Sequence, residues 1–176
     1  MIWQIVILSL CSNTQKNEKM GKILKKRLKQ ENFDNLEHES ILNILVASNY
    51  INTLVEKICT EHNITLSQFN VLRILNGKYP EGYPRCDIIN RMINPSPDVT
   101  RLIDRLIKDG FVERFNSKED RRLSLARITE KGRNLLSEVN PEIRKLQISL
   151  FKKFNKEEKK NISILLEKLY ANEIEN

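Results

Sequence analysis

The stretch from Asp87 to Gly132, DIINRMINPSPDVTRLIDRLIKDGFVERFNSKEDRRLSLARITEKG, leaves few folds open. It reads as helix, turn, helix, a two-stranded hairpin with a basic tip, and the opening of another helix. Ser96 suits an N-cap, and Pro97 suits the first helical position, where a missing N–H costs nothing. Val99, Leu102, Ile103, Leu106 and Ile107 recur at i, i+3, i+4, i+7 and i+8, which is one apolar helical face. Lys108 falls in the last turn and Gly110 supplies the stop.

The opposite side of that helix carries Pro97, Arg101, Asp104 and Lys108, flanked by Thr100 and Arg105. An ordinary solvated face has this composition. So does a helix that enters the DNA major groove, where Arg reads guanine O6 and N7 and Thr touches a thymine methyl or a phosphate. The hairpin favours the second reading. Phe111–Phe115 and Leu123–Ile128 are short β-prone runs around the polar turn Asn116–Arg122. A basic hairpin tip beside such a helix suits the adjacent minor groove, which attracts Arg where it is narrow. Asp120, beside Arg121 and Arg122, would cancel charge in a simple phosphate clamp. It makes sense if it pairs with one arginine and fixes the tip while the other reaches out.

Together, VTRLIDRLIKDGFVER, then EDRR, then ITEKG resemble the winged-helix core of the MarR family of bacterial transcription regulators. The likeness covers roughly residues 38–170. ITLSQFNVLRIL resembles the family's L-T-x-x-Q-x-x-x-L segment and is expected to buttress the DNA-binding lobe. The resemblance implies a mainly α fold: a winged helix-turn-helix with a two-stranded wing, flanked by N- and C-terminal dimerisation helices. It implies a homodimer bound to double-stranded DNA at an inverted repeat. Such proteins are usually repressors, released by a small anionic or phenolic effector or by oxidation. DNA-binding residues are then expected at Ser96, Asp98, Thr100, Arg101 and Arg105 on the helix, and at Asp120, Arg121 and Arg122 on the wing. The expected domain spans 36–172, with a DNA-binding lobe at about 64–132 and an N-terminal extension at 1–35. A regulator of this kind is expected in the cytoplasm.

The remaining sequence fits this organisation. The 176 residues suit one domain, and a net charge of +7 is compatible with a polyanionic partner. The charges are mixed, however, so composition alone does not separate DNA binding from a basic surface. Three cysteines without paired spacing do not suggest a disulfide framework or a zinc site. Only His38 and His62 offer imidazole ligands, and there is no glycine-rich phosphate loop or Ser–His–Asp set. No catalytic residue, cofactor or metal is expected. A winged helix used only for protein contact is the other open reading.

Met1–Leu10 is apolar but too short to span a bilayer, and it lacks the basic start of a signal peptide. Leu8-Ser-Leu-Cys11 weakly resembles a lipoprotein box with a bulky Leu10. A natural start at Met20, an ordered hydrophobic extension and an export signal all remain open. Lys22–Lys29 is a basic run, either a solvated helix or arm or a contact to a polyanion backbone. Glu37–His62 reads as a long helix with an apolar stripe at Ile41, Ile44, Leu45, Ile51, Val55 and Ile58, and Cys59 near its end as core. Thr65 is a cap candidate for the next helix. Gly77–Pro84 is a turn-rich connection whose tyrosines either pack or line a cleft. Arg85–Met92 would be the first helix of the helix-turn-helix, opened by Cys86, the better redox candidate of the two downstream cysteines. Thr129 can cap the helix after the wing, and Pro141 predicts a kink or break near Asn140. Asn155 with Glu158 predicts a capping box for a last helix carrying Ile162, Leu165, Leu166 and Leu169. These terminal helices hold more apolar surface than a lone winged helix needs, and a dimer interface made with Glu37–His62 would use it.

Overall fold

The computed structural model describes residues 21–94, 98–117, 120 and 122–174. The chain divides into two compact units, residues 1–53 and 54–176. In the first unit, helix α1 (Lys22–Leu28) ends at Lys29, which takes a left-handed conformation with φ +53°. The basic run is therefore helical; it buries Leu24 and leaves Ile23 in solvent. Helix α2 (Leu36–Glu61) begins in this unit and runs into the second. Within residues 36–53 it exposes Leu36, Ile41, Leu45, Tyr50 and Ile51.

The second unit holds helix α3 (Leu66–Asn76), strand β1 (Tyr83–Pro84), helix α4 (Arg85–Asn90), helix α5 (Val99–Lys108), the hairpin β2 (Val112–Asn116) and β3 (Ser124–Ile128), and the long helices α6 (Glu130–Leu150) and α7 (Lys156–Ile174). Local chemistry sets most of these boundaries. Thr65 and Gln68 form a reciprocal capping box: the Gln68 N–H donates to Thr65 Oγ1, and the Thr65 N–H donates to Gln68 Oε1 at 2.9 Å. The Gly132 N–H donates to Thr129 Oγ1 at 3.2 Å at the start of α6. Asn155 and Glu158 exchange the same pair of bonds before α7, at 2.8 and 2.9 Å. Gly110, at φ +77°, ends α5 where a side chain would be strained.

The core gathers one face from each element. Val71, Leu72 and Leu75 of α3 meet Ile88 of α4, Val99, Ile103 and Leu106 of α5, Val112 and Ile128 of the hairpin, and Leu136 and Val139 of α6. The i, i+3, i+4 spacing on α5 places its buried residues against this core and directs Arg101, Asp104, Arg105 and Lys108 to solvent.

Four features depart from the sequence reading. The sheet has three strands, in the order β1-β3-β2, because Tyr83 and Pro84 of the expected connection pair with Ala126 and Leu125. Gly82 makes this possible: at φ +81°, any Cβ there would press on the Ala126 carbonyl. Helix α4 stops at Asn90 rather than Met92, with Arg91 as its C-cap. Helix α5 begins at Val99 with Asp98 at the capping position, while the expected cap Ser96 and the first-turn Pro97 lie outside the described residues. Helix α6 runs through Pro141 without the break that was one of the two expected outcomes there. The proline removes one N–H that would have bonded the Ser137 carbonyl, and both residues are exposed, so water can take that acceptor.

Candidate nucleic-acid interface

Helix α5 presents a polar front on an apolar anchor. Arg101 and Arg105, four residues apart, stand one above the other on the outward face. Arg101 Nη1 lies 3.5 Å from Asp98 Oδ2, and both side chains are largely exposed. A pair so long and so wet is worth well under about 1 kcal/mol, so an incoming phosphate or base can take the guanidinium from it. Thr100 is half-buried, and its Oγ1 accepts a 2.8 Å hydrogen bond from Arg85 Nη1 at the start of α4.

The wing is fastened to this helix. Arg114 Nη2 on β2 lies 3.0 Å from Asp104 Oδ1 on α5. Across the hairpin, Glu113 and Arg127 are register partners joined at 2.6 Å, and the Arg127 guanidinium also lies over the Phe115 ring at 4.6 Å. These contacts set the direction in which the hairpin leaves the domain. At its tip, the Asp120 carboxylate accepts from the Arg122 backbone N–H at 2.9 Å, and the Asp120 carbonyl accepts from the Leu123 N–H. Asp120 thus fixes the turn through the backbone, and the Arg122 side chain is exposed. Arg121 and Ser96 lie outside the described residues.

At the base of the wing, the Thr129 N–H donates to the Phe111 carbonyl at 3.0 Å, and Thr129 Oγ1 donates to the Gly110 carbonyl at 2.7 Å. Lys131 Nζ donates to the Asp109 carbonyl at 2.7 Å. The end of α5, the first wing strand and the start of α6 are therefore tied at one junction. The ITEKG motif supplies the hydroxyl, the ammonium and the glycine that the junction uses.

Of the residues expected at the interface, Thr100, Arg101, Arg105 and Asp98 come together on or beside α5, and Asp120 and Arg122 sit at the hairpin tip. Arg85, Asp104 and Arg114 were not foreseen in these roles. Their partners lie ten or fifteen residues away, and no periodicity connects them. Of the tyrosines of the connection, Tyr83 is partly buried under Arg91 and Lys78, and Tyr79 is exposed with the Arg133 guanidinium over its ring. Cys59 is fully buried, and burial, with Glu56 adding to it, pushes its thiol up to about 11. It is core, as its place in the sequence implied. Cys86 is exposed, with its Sγ 3.6 Å from Asp87 Oδ1. Among the described residues no His, Cys, Asp and Glu cluster could hold a metal ion, and no helix is long and apolar enough to cross a membrane.

A helix-turn-helix with a hairpin wing, its second helix anchored by a greasy back and fronted by arginines, defines the winged helix-turn-helix transcriptional regulators. Comparison with known proteins narrows the class. Residues 53–139 match the family model described as transcriptional regulator SarA/Rot. The HTH-type transcriptional regulator YkoM of Bacillus subtilis is 31% identical over 109 residues, covering 61% of this chain and 69% of that protein. Among solved structures, the S. aureus MepR–DNA complex matches with a TM-score of 0.67 at 20% identity, covering 76% of this chain and 96% of that one. CouR of Rhodococcus jostii RHA1, bound to p-coumaroyl-CoA, matches with a TM-score of 0.67 at 20% identity, covering 78% and 95%. At those identities the two structures speak for the fold. The chain belongs to the MarR family of winged helix-turn-helix transcriptional regulators.

Proposed function

We propose that this regulator is a homodimeric, sequence-specific repressor of nearby genes, released from DNA by a small anionic or phenolic effector. The observation that carries the reading is the outward pair Arg101 and Arg105 on an apolar-backed helix, beside a wing held by Arg114 and Asp104. Residues 64–132 would form the DNA-binding lobe. Arg101, Arg105 and Thr100 would face base edges, the Ser96 hydroxyl would donate to a phosphate at the helix start, Asp98 would orient Arg101 there, and Asp120, Arg121 and Arg122 would serve the wing. Most affinity would come from phosphate contacts and would fall steeply with salt.

Dimerisation is supported by apolar surface that one chain leaves open. On α7, Leu165 is 61% and Leu169 68% exposed, and Ile164, Leu166 and Tyr170 are also exposed. On α2, Ile41 and Leu45 are open to more than half their area. A second copy covering such faces would form a two-fold dimer, whose paired recognition helices prefer an inverted repeat with half-sites about one helical turn apart. The effector reading draws on family likeness and on CouR, a protein of the same fold with p-coumaroyl-CoA bound. An effector would act by favouring a lobe spacing that does not fit the duplex.

Selection from random duplex DNA tests the reading. The expected result is enrichment of one inverted repeat, with binding that weakens linearly in log salt. A winged helix that serves only protein contact enriches no motif, and that outcome refutes the proposal. A screen of aromatic acids and their thioesters for release from the selected site tests the effector part.

A further inference from the structure

We infer that Arg85 is a specificity-determining positioning residue: lying outside the recognition helix, it sets the orientation of the Thr100 hydroxyl and so the base step that Thr100 reads. The inference rests on the DNA-binding reading above. Arg85 opens α4 and Thr100 is the second residue of α5, so the 2.8 Å bond from Arg85 Nη1 to Thr100 Oγ1 crosses between the two helices of the motif on its solvent side.

A threonine hydroxyl has one donor and two acceptor sites, and when free it rotates to suit its surroundings. Here one lone pair is taken by a charged donor, a bond stronger than a neutral one. The hydroxyl hydrogen is then directed away from Arg85, toward whatever acceptor lies before α5, and the Thr100 methyl is fixed by the same rotamer. In a major groove the available acceptors are guanine O6 and N7, adenine N7, thymine O4 and phosphate oxygens. Thr100 then keeps one donor and one acceptor in fixed directions, and the rotamer that Arg85 holds decides which base edge can meet both. Arg85 pairs with no carboxylate among the described residues. Its remaining N–H groups can meet a phosphate while the bond to Thr100 persists.

A phosphate clamp and a positioning residue give different signatures. Losing a clamp weakens all sequences alike and lowers the salt slope by about 1. Losing a positioning residue changes the ratio between sequences. It does so only while Thr100 has an oxygen to be positioned.

The test uses the full chain and the inverted repeat recovered by selection, with single base-pair changes across one half-site. Wild type, Arg85→Ala, Thr100→Val, Thr100→Ser and the double variants Arg85→Ala/Thr100→Val and Arg85→Ala/Thr100→Ser are compared by competition binding. Arg85→Ala is expected to lower discrimination at one base pair about three- to tenfold, as for side chains coupled in one hydrogen-bond network. Thr100→Val should lose discrimination at the same base pair, and the double variant should lose no more than Thr100→Val alone. In the Thr100→Ser background, which keeps the oxygen, Arg85→Ala should still shift discrimination. Arg85→Met, which keeps the length of the side chain and has no donor, substitutes for Ala if the melting temperature falls. Additive losses, or uniform weakening with a lower salt slope and unchanged base preference, overturn the inference while leaving DNA binding intact. If wild type itself enriches no site, it is the DNA-binding reading that has failed.

Discussion

Replacing Gly132 with Ala should destabilise the protein, although the same change stabilises most helices. Gly132 lies in the first turn of α6, where Ala normally gains about 0.5–1 kcal/mol over Gly. Here a Cβ would overlap the Phe111 carbonyl oxygen and come within 2.7 Å of Ile128 Cγ1. Neither neighbour can retreat easily. The Phe111 carbonyl is held by the Thr129 N–H at 3.0 Å, and Ile128 is fully buried in the core. Forcing a methyl into such a site costs about 1–3 kcal/mol. Disturbing the carbonyl's hydrogen bond adds about 0.5–1.5 kcal/mol. Set against the propensity gain, the net loss is about 0.5–4 kcal/mol. For a chain of this size that lowers the melting temperature by roughly 1–16 °C. Urea and thermal unfolding at one fixed protein concentration measure it, because a dimer's stability depends on concentration. Because Phe111 leads into the wing, DNA affinity should fall as well. A Gly132→Ala protein that melts at or above the wild-type temperature would show that helix propensity, not close packing at the α5–wing–α6 junction, governs this position.

Three other outcomes follow from the same structure. Arg101→Ala should weaken binding to the selected site by ~1–3 kcal/mol and relax its sequence preference, since among the described residues only a weak exposed pair with Asp98 competes for this guanidinium; a gel-shift titration equal to wild type would remove Arg101 from the interface. Leu165→Glu on α7 should weaken dimerisation by about two to four powers of ten, because each two-fold interface loses two buried leucines at about 1.5–3 kcal/mol apiece; unchanged sedimentation at micromolar concentration would place the interface elsewhere. The Cys59 thiol stands at about 11 in the fold against an ordinary 9.0, so between those values the unfolded chain has lost a proton that the folded chain keeps. This contribution to stability is intact below pH 9 and declines as pH rises toward 11. Urea midpoints of Cys59→Ala should therefore fall less steeply over that window, and parallel slopes would contradict the burial argument.

The apolar spacing and several of the helix end signals were legible in the sequence because they act over four residues or fewer, although the start of α5 and the end of α4 were misplaced. The Thr65 cap, Asn155 with Glu158, the Thr129 cap and the Gly110 stop each depend on neighbours within one turn, and each falls where expected; the return bond from Thr65 N–H to Gln68 was not foreseen. The outward arginines of α5 were legible for the same reason: a 3.6-residue period fixes which side chains share a face. The helix-turn-helix and its wing followed from those local rules taken together.

Tertiary structure decided what depends on groups far apart in the chain. The third strand exists because Gly82 lets Tyr83 and Pro84 approach β3, a pairing that spans more than forty residues. Pro141 breaks nothing because its lost bond faces solvent while Leu136 and Val139 hold the helix on the core. Asp104 with Arg114, and Arg85 with Thr100, are ion-pair and hydrogen-bond partners only after α4, α5 and β2 have packed. Composition could not rank these charges among thirty Lys and Arg residues, because proximity through space, set by core burial, determines which of them meet.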